Sequence, residues 1–449
     1  MPAEATERDL GLDPRAKHAL RGAFLGFFVD MFDIYLPIIV LAPAIAYFVS
    51  PDLSAGATSI VLATIFAVAL VGRPLGAAIF GHFADTIGRK PAAMIAVGGF
   101  GVMSVLMAVL PGYQQWGIVA IVLFILFRFI DGIFVGGEYT AAIPLAMEYS
   151  PKAKRGLYSG IINSGFPLSY ASISLITMLL LFLMPSEGVN SAYVQWGWRI
   201  PFFIGAGLAF AFVAYFYYSV SESELWQRSE RDEAPIKTLF RGASLKNFLQ
   251  VFLLMSGLWL SLQTVAAILP GILSNTVGLT GSVLTITLVI AYTLLIPVNV
   301  AAGMISQKIG RKTFFIVMSV IMASLATFLY YLLIRTAPDS FLATLVLVTA
   351  IIVLVDAPFA IIPAYVNERF HVGVRASGYG IGYSLAVMVP AFYAFYQAGL
   401  ATFMPSEYTV LVLLIVGALL IFIGALWGPE TRDVDFAGDV AETAAGSTS

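Results

Sequence analysis

Apolar stretches long enough to cross a lipid bilayer recur along this chain, and they constrain its fold more than any other feature. A spanning helix needs roughly 20 apolar residues to cover a hydrocarbon core of about 30 Å. Within lipid each backbone N–H and C=O must be satisfied inside the segment, which leaves the helix as the form for runs of this length. Such runs fall at 21–48, 57–80, 92–111, 116–147, 156–184 and 198–219. They recur at 247–272, 281–305, 314–334, 341–366, 376–403 and 408–427. Only 11% of the residues are charged, against roughly 25% in soluble chains. The chain therefore reads as an all-α membrane protein with twelve transmembrane helices. An even number of crossings returns both ends to one side.

The basic residues predict which side that is. With a cytoplasmic N-terminus, Arg8, Arg15, Lys17 and Arg21 lie inside, followed by Arg89, Lys90, Lys152, Lys154 and Arg155. Arg228, Arg231, Lys237, Arg241 and Lys246 join them, as do Lys308, Arg311, Lys312, Arg369, Arg375 and Arg432. Of the 24 Lys and Arg residues, only Arg199 and Arg335 remain outside, while Arg73 and Arg128 fall within helices. The expectation is a multi-pass protein of a bacterial inner membrane with both termini cytoplasmic. Residues 1–20 carry mixed charge and no apolar core before a small-residue cleavage site, so the first helix is expected to act as its own insertion signal.

The polar interval 221–245 divides the chain. The expected organisation is a cytoplasmic tail 1–20, a six-helix bundle 21–220, a linker 221–245, a second six-helix bundle 246–427, and a tail 428–449. That last tail is rich in Ala, Gly, Thr and Ser, a composition that predicts disorder. Gly81-His82-Phe83-Ala84-Asp85-Thr86-Ile87-Gly88-Arg89-Lys90 recurs as Gly303-Met304-Ile305-Ser306-Gln307-Lys308-Ile309-Gly310-Arg311-Lys312, with Gly, Ile, Gly, Arg and Lys in register. Glu148 and Arg155 recur at the same spacing as Glu368 and Arg375. Internal repetition of this kind predicts two pseudo-symmetric bundles.

Several function classes are excluded or disfavoured. A net charge of −2 leaves no basic excess for nucleic acid. With no Cys there is no disulfide or thiolate metal site, and His18, His82 and His371 stand in no metal-ligand spacing. An enzyme would need a nucleophile–base pair or a metal cluster, which these residues do not offer. A channel would conduct passively, whereas a carrier would show saturable counterflow. No cofactor or metal is expected.

Charges within the spans point to function. An ionisable group at a helix centre costs roughly 2.5–3.5 kcal/mol on insertion scales, so it faces a partner or a cavity. Asp30 and Asp33 share a face of the first helix, and the fourth carries Arg128, Asp131 and Glu138. At ~1.5 Å per residue, Asp30 lies ~14 Å and Arg128 ~12 Å above the inner surface. Arg128 is therefore expected to pair with Asp30 or Asp33, and protonation of the carboxylate to release the arginine. Burial favours the neutral acid and a guanidinium the charged one, so such a group can change protonation as the cavity opens to either side. The alternative is a permanent pair that only locks the two helices. Glu138, two turns from Asp131, either takes part in proton binding or bonds backbone near the glycines. Asp356 is followed by Ala357-Pro358, a helix bend that either marks a gate or gives Asp356 a freed neighbour to bond. Gly132-x-x-x-Gly136 and Gly156-x-x-x-Gly160, like Gly378, Gly380 and Gly382, are packing features.

The loop motif has its own physical reading. Gly81 and Gly88 permit a tight reversal, and Asp85 is placed to accept hydrogen bonds from a neighbouring helix N-terminus. Arg89 and Arg155 are expected to pair with Glu148 and hold one face closed; the plainer reading is that Arg89 and Lys90 only anchor the loop. Gly81-x-x-x-Asp85-x-x-Gly88-Arg89-Lys90 resembles the loop 2–3 signature of the major facilitator superfamily. Arg128-Phe129-Ile130-Asp131-Gly132-Ile133-Phe134-Val135-Gly136-Gly137-Glu138, with Glu148 and Lys154-Arg155-Gly156, resembles its metabolite:proton symporter branch. Asp30-Met31-Phe32-Asp33, Arg73-Pro74-Leu75-Gly76, Trp196-Gly197-Trp198-Arg199-Ile200-Pro201-Phe202 and Pro429-Glu430-Thr431 agree with that branch. The branch usually has Glu, Gln and Trp where this chain has Asp30, Asp131 and Tyr139.

The resemblance implies a proton-coupled symporter, with the proton as coupling ion, working by alternating access. Its branch carries mono-, di- and tricarboxylates and zwitterions such as proline or betaines. Arg128, once released, could receive a substrate carboxylate in bidentate fashion. The scarcity of other unpaired cations in the core favours a monocarboxylate or zwitterion over a tricarboxylate. Tyr35, Asn163, Gln263, Tyr292, Asn299 and Tyr383 are polar or aromatic residues on apolar helices, and each is either a substrate contact or a helix-to-helix bond. The alternative cargo is a sugar, a polyol or a drug on the same scaffold. The expected partners are a small-molecule substrate and the lipid bilayer, with the chain acting as a monomer.

Overall fold

A computed structural model describes residues 14–224, 227, 235–279, 281–337 and 340–436. Arg8, Arg228 and Arg231, with the ends of both expected tails, lie outside the described residues. No strand occurs among the described residues. Twelve helical segments are long and apolar enough to cross a membrane. Spans 1 to 6 are Pro14–Val40, Ile60–Thr86, Arg89–Ala108, Ile118–Glu148, Lys152–Leu183 and Tyr193–Ser219. Spans 7 to 12 are Ser244–Asn275, Gly281–Ile309, Arg311–Thr336, Phe341–Asn367, Val372–Leu400 and Ser406–Trp427. The helix of span 1 begins at Pro14, ahead of the apolar run expected from residue 21.

Within the first half, span 2 packs on span 4, span 3 on spans 4 and 6, and span 1 on span 5. Span 7 packs on span 12 in the second half, and span 8 on span 10. The halves meet along two seams, span 2 against span 11 and span 5 against span 8. Small residues allow the second seam: a Cβ on Gly160 would lie 3.0 Å from the Val300 Cα, and one on Gly156 3.0 Å from the Gln307 Cβ. Gly132 and Gly136 serve the same purpose between spans 2 and 4, where a Cβ would run into the backbone at Ala69 and Arg73.

Crossing the membrane an even number of times puts the loops after spans 2, 4, 6, 8 and 10 on one face, together with both described ends. This is the motif face. Here Gly88 and Gly310 take the same positive φ, 119° and 98°, before the first residue of spans 3 and 9. Each next helix is then capped by a distant acid: Glu222 accepts from Lys90 N (3.0 Å), and Glu430 from Arg311 N (2.8 Å) and Lys312 N (3.1 Å). A helix start leaves N–H groups without partners, which suits a carboxylate.

The beginning of the second tail is ordered, contrary to the expectation from its composition. Thr431 Oγ1 donates to Glu368 Oε2 (2.7 Å), Arg432 Nη1 to the Lys308 carbonyl (2.9 Å), and Phe436 is buried. Arg155 and Arg375 lie over the Phe436 ring, their guanidinium carbons 3.5 and 4.0 Å from its centroid. The segment's own aromatic ring, set between two cations, anchors it.

Candidate functional site

Span 1 brings both of its acids into the protein interior, where Asp30 and Asp33 are buried. They do not share a partner. Arg128 Nη1 donates to Asp33 Oδ2 at 2.6 Å and also meets Asp131 on its own helix. Its Nη2 donates to the carbonyls of Asp33 (3.0 Å) and Ile34 (3.1 Å). Pro37 explains why the first of these is free: it has no N–H to offer the carbonyl four residues back. A helix break in span 1 thus creates an acceptor that the arginine of span 4 fills. Ser104 Oγ, from span 3, donates to Asp33 Oδ1 (3.1 Å).

Asp30 pairs instead with Arg73 of span 2, Nη2 to Oδ2 at 3.3 Å. Of the two expected partners for Arg128, only Asp33 is in contact, because a second buried arginine, Arg73, takes Asp30. Arg73 lies against Tyr139, Trp259 and Tyr383, with its guanidinium carbon 4.8, 5.7 and 5.9 Å from their ring centroids. Its Nε and Nη1 find no hydrogen-bond acceptor. Glu138 is buried with both carboxyl oxygens unbonded, so it bonds no backbone near the glycines.

Between the halves lies a central cavity with about 10 Å³ of free space. Phe27, Met31, Asn163 and Phe166 line it from the first half, and Trp259, Leu262, Asp356, Phe359 and Tyr383 from the second. A space this small holds about one water and has no room for a metabolite. Asp356 accepts from Asn299 Nδ2 (3.3 Å) through Oδ2, a side chain on span 8 rather than a neighbour freed by Pro358. The helix nonetheless changes character at that proline, tightening to a 3₁₀ turn over Ala357–Ile361.

On the motif side of the cavity, polar contacts tie the halves together. Asp85 Oδ2 accepts from Ser377 N (2.9 Å) and Ser377 Oγ (2.6 Å), at the start of the helical turn Arg375–Leu385 of span 11. The expected partnership of Asp85 with a helix N-terminus is therefore made across the halves. Arg89 donates to Asp85 (2.6 Å), to Glu148 (3.5 Å) and to the Val372 carbonyl (3.1 Å). Glu148 also accepts from Arg375 (3.0 Å) and from Ser223. Arg155 is not a partner of Glu148, as the spacing led us to expect; its Nη1 donates to the Val434 carbonyl (2.7 Å). The position beside Glu148 belongs to Arg375, the residue that repeats Arg155 in the second half. The second half has a matching cluster, in which Arg311 meets Glu368 (3.4 Å), Ser306 Oγ (2.8 Å) and Gln307 Oε1 (2.8 Å).

On the far side of the cavity the contacts are aromatic. Tyr170 and Tyr292 stack across the halves with ring centroids 4.1 Å apart, and Tyr35 packs on Phe166 (5.3 Å) and Tyr170 (5.4 Å). Tyr170 and Tyr292 donate to the Ala266 and Val265 carbonyls of span 7, at 3.2 and 3.3 Å. Those carbonyls lie in a π-helical stretch, Thr264–Ile268.

A family model described as the Major Facilitator Superfamily matches residues 23–297. The chain belongs to the major facilitator superfamily. A second model, described as Sugar (and other) transporter, matches residues 222–438. The inner membrane metabolite transport protein YhjE of Escherichia coli is 30% identical over 84% of this chain and 86% of its own. The shikimate transporter of the same organism is 27% identical over 92% and 94%. Among solved structures, the proton:xylose symporter XylE superposes with a TM-score of 0.74 at 18% identity, covering 96% of this chain and 99% of its own. This superfamily member is thus a membrane-embedded metabolite transporter and not an enzyme.

Of the residues singled out from sequence, Asn163, Asp356 and Tyr383 line the cavity of this transporter. Asn299 touches it through Asp356, while Tyr35 and Tyr292 belong to the aromatic layer. Gln263 is buried on span 7 with Oε1 unbonded and is not among the lining residues. Sequence reasoning passed over Phe27, Phe166, Trp259 and Phe359, which look like ordinary apolar residues, and gave no role to Arg73, which it noted as a charge inside a helix and as part of a family motif. That charge was the available signal, since an unpaired arginine in lipid is as costly as the one that drew attention to Arg128.

Proposed function

We propose that the protein is a proton-coupled symporter of a small organic acid or zwitterion, working by alternating access in a bacterial inner membrane as a monomer with both termini cytoplasmic. The observation that carries this reading is Asp33 against Arg128 at 2.6 Å, buried in mid-membrane with a further acid, Asp131, on the same guanidinium. One arginine neutralises one carboxylate, so two acids around Arg128 exceed what a static lock requires. Protonating Asp33 weakens its hold on Arg128 and leaves Asp131 as the charged partner of the guanidinium. Seams between the halves, closed at both ends here, supply the hinge for rocking.

In sealed proteoliposomes with an imposed pH gradient, the Asp33→Asn protein should lose uphill uptake while keeping exchange of labelled for unlabelled substrate. The loss expected is about 100-fold or more, in line with ~3 kcal/mol for a broken buried pair. Undiminished uphill uptake by Asp33→Asn would remove Asp33 from the coupling step. A sugar or polyol cargo is the second reading, supported by the unbonded amide atoms of Asn163, Gln263 and Asn299.

A further inference from the structure

From the walls of the central cavity we infer that the substrate is a zwitterion, bound with its cationic end at Asp356 and its acid end toward Asn163 and Arg73. The inference rests on the transport reading above and narrows it to one charge pattern.

Asp356 is fully buried, and no Lys or Arg among the described residues lies within ion-pair distance of it. Oδ2 has a single long bond from Asn299, and Oδ1 has none. The rings lining the same space include Trp259, Phe359 and Tyr383. Trp259 meets Phe359 edge-on with centroids 5.4 Å apart, and Tyr383 likewise at 5.1 Å. A carboxylate set among aromatic faces is the chemistry that receives an ammonium or a quaternary amine: the rings attract the positive charge, and the acid neutralises it. A neutral sugar or a dicarboxylate would leave that acid buried without compensation.

The opposite pole is built of donors. Asn163 Nδ2 is buried in the cavity wall without an acceptor. Arg73, outside the lining itself, lies against the Trp259 and Tyr383 rings, with Nε and Nη1 likewise without a hydrogen bond. Either N–H could donate singly to a carboxylate oxygen. Trp259 and Tyr383 line the cavity with Asp356 and also meet Arg73, so both poles border the same two rings. Asn163 comes from the first half and Asp356 from the second, so a molecule holding both would draw the halves together.

The test is counterflow in proteoliposomes with labelled glycine betaine and L-proline, competed by 2-oxoglutarate, shikimate and D-xylose, together with ligand-induced shifts in the thermal unfolding of the purified protein. The zwitterions should exchange and shift the melting temperature; the acids and the sugar should compete about tenfold less well or worse. Asp356→Asn should keep the melting temperature of the empty protein, lose the betaine-induced shift, and weaken exchange by about tenfold or more, with Asp356→Glu restoring part of it. Trp259→Leu should weaken binding of betaine without changing which end of the molecule is read. Exchange of xylose, shikimate or 2-oxoglutarate without exchange of the zwitterions would overturn this inference and leave the transport reading standing. Zwitterion exchange at full strength in Asp356→Asn would overturn the assignment of the cation pole. Saturable exchange of none of these compounds would count against both.

Discussion

On the motif side of the cavity the halves are joined by contacts of fixed direction, whereas on the other side they are joined by stacked rings. Glu148 alone gathers Arg89, Arg375 and Ser223, and Asp85 takes both the backbone and the hydroxyl of Ser377. Tyr170 and Tyr292 meet face to face at 4.1 Å with Tyr35 and Phe166 around them. Buried ion pairs lose most of their energy once one member moves, because the other is then left charged and dry. Aromatic faces slide with modest cost, and each pair contributes about 0.5–1.5 kcal/mol beyond the area it covers. The polar side should therefore open as a unit, and the aromatic side by degrees.

This contrast can be broken most forcefully at Glu148. Replacing it with Ala takes a shared acid from two buried arginines, leaving Asp85 to Arg89, which should cost the closed motif face about 3 kcal/mol. The chain has no Cys, so a single Thr140→Cys, on span 4 facing Gly380 of span 11, reports opening without background. Its alkylation should accelerate by more than ~100-fold in Glu148→Ala, and an unchanged rate would mean that these charges do not hold the face shut. A smaller effect is expected at the aromatic layer. Tyr170→Leu removes a stack worth about 1 kcal/mol, so a Leu262→Cys reporter in the cavity should label only a few-fold faster from the opposite face. Equal effects of the two changes would erase the distinction between the ends. Between these two in size is truncation after Asp433, which removes Phe436 from between Arg155 and Arg375. Two buried cation–ring contacts of about 1 kcal/mol each correspond to roughly 30-fold, so labelling of Thr140→Cys should rise by about that much, still below the Glu148→Ala value.

How much of this was readable depends on whether a feature is local. Span number and order follow from length and apolarity, which need no knowledge of neighbours. The pairing of Arg128 with Asp33 was partly legible, because depth in the bilayer can be counted along each helix. Depth does not say which flank of span 1 an arginine approaches, so Asp30 went to Arg73 unforeseen. Arg155 and Arg375 have the same spacing from an acid, yet only the fold reveals that Glu148 faces Arg375. A further repeat was present but unread: Ser221-Glu222-Ser223 matches Pro429-Glu430-Thr431 in both the capping acid and the hydroxyl that reaches Glu148 or Glu368. The cavity walls were the least legible part, since Trp259 and Phe359 are indistinguishable from lipid-facing aromatics until the helices are assembled.

The roughly one-water volume of the central cavity has a consequence for the cell's energy supply. A protein that carries acids through the middle of a membrane risks becoming a wire along which protons drain. Under the proposed proton coupling, a cavity with room for about one water beside Asp356 offers protons no wide passage in the empty form, and the gradient would be drawn on only when cargo pries the halves apart.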